Sequence, residues 1–140
     1  MKNPAVFFRN NFWLVLLMLS GNLLHAQSDY FFKSADGELA MELSREGQSV
    51  NIALFLTNAS QFEEVMIERS LDAFNNFGQC KYIKFNGSAQ PNVVIVKRDD
   101  FPLTSVDEAY YRIKTVSTEG VTRIYPSVRL PGLREISLRQ

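Results

Sequence analysis

From Leu39 onward, apolar and polar residues alternate in short runs separated by turn residues, the pattern of strands with one buried and one wetted face. Leu39, Met41 and Leu43 alternate with Ala40, Glu42 and Ser44, and Arg45-Glu46-Gly47-Gln48 turns the chain. Val50, Ile52, Leu54 and Leu56 form one face of a second strand. Val65 and Ile67 mark a third, Phe77 to Phe85 a fourth ended by the turn dipeptide Asn86-Gly87, and the run Val93 to Lys97 a fifth. Tyr110 to Val116 and Val121 to Val128 make a final pair around Ser117-Thr118-Glu119-Gly120, with Tyr111 and Ile113 facing inward and Arg112 and Lys114 wet. Seven such strands predict an all-β chain folded as an immunoglobulin-like β-sandwich. Two segments stay open: Gln61 to Asn76 also approaches helical spacing, and Tyr30 to Phe32 packs as an edge strand or stays loose.

The N-terminus follows a different pattern. Met1 to Asn11 carries Lys2 and Arg9 without an acid, Phe12 to Leu19 is unbroken apolar sequence, and Ala26 offers a small residue for cleavage before Gln27. That order reads as a secretory signal peptide over residues 1–26. The stretch Phe12 to Leu24 falls short of the roughly 20 residues a membrane span needs. The expected organisation is a signal peptide (1–26), a lead segment (27–38), a sandwich (39–131) and a short tail (132–140). The protein is expected to be exported, to the periplasm or the exterior, with no membrane span left after cleavage.

Composition then narrows the chemistry. The chain of 140 residues has 15 basic and 15 acidic residues, one His, one Cys and one Trp. Taking 26 positions from 140 leaves 114, and losing Lys2 and Arg9 takes the basic count from 15 to 13 against 15 acids, a formal net of −2. Trp13 and His25 leave with the signal. Without an imidazole, Ser-His-Asp and Cys-His systems have no general base, and a zinc site lacks its usual ligands. A near-neutral balance gives no footprint for nucleic acid. No catalytic residue, cofactor or metal is expected; the chemistry left open is a carboxylate-only glycoside hydrolase with two acids facing each other in a cleft.

Ile67-Glu68-Arg69-Ser70 and Tyr110-Tyr111-Arg112-Ile113-Lys114 resemble paired signatures of the fibronectin type III-like, immunoglobulin-fold modules of secreted Bacteroidota proteins, which often precede a type IX sorting domain. The resemblance spans Leu39 to Val128. It implies a non-catalytic spacer or presentation module, with no catalytic residue to carry over; a sorting domain is not expected in the tail. Leu54 stands where the family places a core Trp, Asp72-Ala73 replaces its Asp-Gly, and the stretch from Phe101-Pro102 to Tyr110 is longer than usual.

Tyr111, Ile113, Leu54, Ile67 and Cys80 are the expected structural residues, Tyr111 as a corner anchor through its hydroxyl and Cys80 as a small core residue. An intermolecular bridge or a reactive thiol is the other reading of Cys80. Glu68, Arg69 and Arg112 are expected in structural ion pairs. Asp99-Asp100 and Asp107-Glu108 match no calcium loop and read as solvated turn acids. Arg123, Arg129 and Arg134 form a possible interaction strip for an acidic partner or glycan, or a solvated face. The sequons at Asn58 and Asn86 read as incidental. The functional expectation is a monomeric module presenting a surface to an envelope protein or glycan, the alternative an assembly subunit that pairs through an edge strand.

Overall fold

The computed structural model describes residues 30–86, 91–100, 108–132, 135 and 138. The expected signal peptide lies outside them. Most of the described residues are strand, in two antiparallel sheets, an all-β sandwich. The elements are β1 (Phe31–Lys33), β2 (Leu39–Glu46), β3 (Ser49–Leu56), a 3-10 turn (Ala59–Gln61), β4 (Phe62–Ser70), β5 (Gly78–Lys84), β6 (Val93–Asp99), β7 (Ala109–Ser117), β8 (Thr122–Ile124) and β9 (Val128–Leu130). One sheet has the order β1-β2-β3-β6. The other runs β5-β4-β7-β8, with β9 also on β7.

The alternation of the chain sets which side chains meet between the sheets. Met41, Leu43, Val50, Ile52, Leu54 and Leu56 come from one sheet, and Val65, Ile67, Tyr111, Ile113 and Leu130 from the other, all 1% exposed or less. The β2–β3 hairpin closes on Gly47, whose φ of +61° a residue with a Cβ rarely adopts. Among the described residues, no helix is long and apolar enough to cross a membrane.

The described residues hold nine strands where seven were expected. Phe31–Lys33 pairs with Met41 and its neighbours as an edge strand, the first of the two readings of that segment. The final run divides because its middle holds Pro126, which has no N–H for the ladder. Ile124 pairs with Lys114 and Val128 with Tyr111, so the run carries one more residue than β7 does between them, a bulge. The segment from Gln61, ambiguous by periodicity, is strand from Phe62 to Ser70, because β5 and β7 bracket it on both sides.

Candidate functional site

Neighbouring inward positions on the two sheets bring together a polar cluster. Arg69 and Tyr111 are register partners on β4 and β7, and Asp99 closes β6 opposite Val50. Arg69 donates to the Asp99 carboxylate across the gap between the sheets, and the Tyr111 hydroxyl donates to the same Oδ2 at 2.8 Å. Asp99 is 5% exposed and Tyr111 fully buried. Burial works against the Arg69 charge, but the hydrogen bond and charge of Asp99 outweigh it and hold the guanidinium above its usual range. Burial first, and then the Asp99 bond, raise the Tyr111 phenol. The arrangement keeps a carboxylate, a guanidinium and a neutral phenol in place, a polar clamp between the two sheets.

Cys80 lies beside the clamp. It is the residue bulged out of β5 opposite Ile67 and Glu68, and its thiol donates to the Ile67 carbonyl at 3.3 Å. Burial, and after it the Asp99 charge, push the thiol up to about 11, which disfavours the nucleophilic thiolate. Tyr111, Ile113, Leu54 and Ile67 are all fully buried, and Cys80 is half-buried against the same core. The Tyr111 hydroxyl reaches a carboxylate on the opposite sheet.

On the outer face of β4 and β7, Glu68 and Arg112 are register partners joined at 2.6 Å, and the Arg112 guanidinium stacks 4.0 Å over the Phe77 ring. Arg129, on β9, binds both Glu108 and Glu135 at 2.6 Å, while Arg123 reaches Asp36 at 3.5 Å. The expected basic strip is therefore matched with acids at its two described members; Arg134 lies outside the described residues. Asp99, read as a solvated turn acid, is instead a buried strand residue, whereas Asp100 is exposed and held by Arg98 and Ser49. Asp107 lies outside the described residues. Among those described, no three His, Cys, Asp or Glu side chains gather as a metal ion would require.

A loop through Asp72 is expected after the third strand; what the alternation did not reveal is the hydrogen-bonded order of this loop, which joins β4 to β5. Ser70 Oγ donates to the Asn75 carbonyl at 2.6 Å and accepts from the Asp72 N–H at 2.9 Å. Asp72 in turn accepts from the Phe74 N–H at 2.9 Å, an Asx turn, and Asn76 takes φ +58°. These bonds hold Leu71 and Phe74 in solvent, Phe74 at 87% exposure. Ser-x-Asp and Asn-Asn were the available signal for an ordered loop. No protein-family model matches the chain, and no curated protein is significantly similar to it.

Proposed function

We propose that this chain is an exported, non-catalytic β-sandwich module that presents a surface to a protein or glycan of the cell envelope. The observation that carries the reading is the loop Leu71–Asn76, which hydrogen bonds preorganise around a solvent-exposed Leu and Phe. A side chain of that size held out in water from an ordered loop loses little conformational freedom on docking, which favours a contact there. The charged groups with the most constrained geometry, Arg69, Asp99, Glu68 and Arg112, bind one another. That supports a structural rather than catalytic use of them.

Strand order supports an immunoglobulin-like fold of the fibronectin type III kind. With β1 set aside and β8 and β9 taken as one interrupted strand, the first, second and fifth strands share a sheet. The third, sixth and seventh share the other, which also takes the fourth through the β4–β5 pairing. Relative to the constant-type immunoglobulin order, only the fourth strand has changed sheets.

The test is to fractionate cells producing the full chain and to sequence the N-terminus of the recovered protein. Purified protein and its Phe74→Ala variant are then cosedimented with the isolated envelope fraction. Cleavage before Gln27, recovery outside the cytoplasm and envelope binding that Phe74→Ala weakens are the expected results. An intact N-terminus in the cytoplasmic fraction refutes export, and absence of envelope binding refutes the presentation role.

A further inference from the structure

The edges of the sandwich are unequally protected. β1 is three residues long, and β8 and β9 are three residues each, separated by Pro126 and a bulge. β5 carries a bulge opposite Ile67/Glu68. β6 is seven residues long, pairs with β3 in an unbroken register and, among the described residues, has no hydrogen-bonded strand on its other side. Its polar groups there can be identified from the ladder. Glu46 and Ser49 close the two-residue turn as a mutually bonded pair, so Ser49, Asn51, Ala53 and Phe55 bond β2. Val50, Ile52, Leu54 and Leu56 then bond their β6 partners Asp99, Lys97, Ile95 and Val93. The N–H and C=O groups of Val94, Val96 and Arg98 are left pointing off the sheet.

Beside this edge, β6 and β5 run next to each other without sharing a ladder. Val93 and Ile95 of β6, and Phe85 and Ile83 at the end of β5, are partly buried against the core. Lys97 and Lys81 continue the same inward positions toward the Asp99 end of the sandwich. Two rows therefore flank the open side, each reading apolar, apolar, lysine in the same direction. Neither lysine has an ion pair among the described residues, while the nearby acids Asp99 and Asp100 are bound by Arg69 and by Arg98.

We infer that the β6 edge accepts an extended strand from a protein partner, with apolar side chains at two alternate positions and a carboxylate at the next. The backbone pairs with Val94, Val96 and Arg98, the apolar side chains cover Val93, Ile95, Ile83 and Phe85, and the carboxylate lies between Lys81 and Lys97. A second copy of this chain is disfavoured as the occupant. Antiparallel self-pairing centred on Val96 sets Lys97 against Ile95 and Arg98 against Val94, and adds a second set of cations to an already basic flank. The inference goes beyond the surface proposed at Leu71–Asn76: it adds a second one, along β6, whose occupant is a protein.

The probe is a pair of synthetic peptide pools, apolar-x-apolar-x-Glu and apolar-x-apolar-x-Lys, titrated into isotopically labelled protein with amide shifts followed by NMR. The Glu pool is expected to shift Val94, Val96 and Arg98 and to bind about tenfold or more tightly than the Lys pool. Val96→Pro removes an outward N–H that bonds nothing in β3, a change that edge strands tolerate, and should abolish binding. Lys97→Glu with Lys81→Glu provides a second readout that keeps the backbone intact, and should invert the preference between the pools. The inference is overturned by any of three results: no amide shift from either pool up to about 2 mM, equal binding of both pools, or a β6-dependent dimer in sedimentation. Shifts confined to Leu71–Asn76 also overturn it while leaving the presentation role standing.

Discussion

Replacing Arg69 by Met should be among the most damaging single changes in the sandwich, and the reason is what it leaves behind. The Asp99 side chain is 7% exposed and that of Arg69 20%, so the substitution strands a carboxylate in the core without its counter-charge. Breaking a buried pair from one side costs about 3–5 kcal/mol, because the remaining charge keeps its desolvation penalty. A domain near 100 residues loses about 4–8 °C of melting temperature per kcal/mol, so the fall should exceed roughly 12 °C. The informative comparison is the triple variant Arg69→Met, Asp99→Leu, Tyr111→Phe, which removes the guanidinium, the carboxylate and the phenol hydroxyl together. Desolvating two charges and pairing them nearly cancel, so the triple should lie within about 2 kcal/mol of wild type and above the single variant. Urea unfolding followed by far-ultraviolet circular dichroism and tyrosine fluorescence measures both. A single variant within 1 kcal/mol of wild type, or a triple as unstable as the single, would refute the account of the clamp as a buried, mutually dependent set.

Four other outcomes follow from the same geometry. Leu54→Trp restores the bulk that the resemblance places there, but Leu54 is fully buried in a closed core, so about 1–3 kcal/mol of destabilisation is expected from denaturant curves; a gain in stability would show that a cavity was waiting. With its thiol raised to about 11 from an ordinary 9.0, Cys80 should react with iodoacetamide at pH 8 at least about tenfold more slowly than a free cysteine peptide. Because the folded thiol binds its proton more tightly than the unfolded one, its contribution is complete below pH 9 and fades as pH rises toward 11; Cys80→Ser should flatten that alkaline limb of the stability curve. Phe74→Ala, at a side chain 87% exposed, should change unfolding free energy by less than about 0.5 kcal/mol while weakening envelope binding. A large loss of stability would mean that Phe74 is a packing residue.

The strands that alternate cleanly were legible from the chain. β2 and β3 need only period-two burial and a glycine at the turn, and Tyr111 and Ile113 face inward for the same reason. What escaped depended on partners distant in sequence. Asp99 follows Lys97 and Arg98, and a polar run after a β-branched stretch looks like a turn; its burial comes from Arg69, thirty residues earlier, on the other sheet. β4 could not be separated from a helix by spacing because its inward residues, Val65, Ile67 and Arg69, include a charge, and only Asp99, at the end of β6 on the other sheet, shows why an arginine can face the core. The interruption of the last strand was legible in principle, since Pro126 sits in its middle. Two residues at each end of a strand are the least determined part of such a reading, and the clamp is built from end residues: Asp99 is last in β6, and Arg69 is next to last in β4.

That position also accounts for how β6 finds its register. Val93-Val94-Ile95-Val96 has no alternation, so apolar burial alone does not choose which parity faces the core, and a slip by one residue exchanges the faces. The charges choose instead. A slip in one direction would place Arg98 against Arg69, cation on cation. A slip in the other would bring Asp100 to the clamp but strip Ser49 and Arg98 of the carboxylate they now share. Only the observed register gives Asp99 to Arg69 and Tyr111 while Asp100 serves the surface. A buried ion pair adds little net stability over an apolar replacement, so its value in this sandwich lies in selecting one alignment for a strand whose hydrophobic pattern permits two. The same alignment puts Val94 and Val96 outward and Val93 and Ile95 inward, so the clamp also determines which backbone groups the free edge of β6 presents.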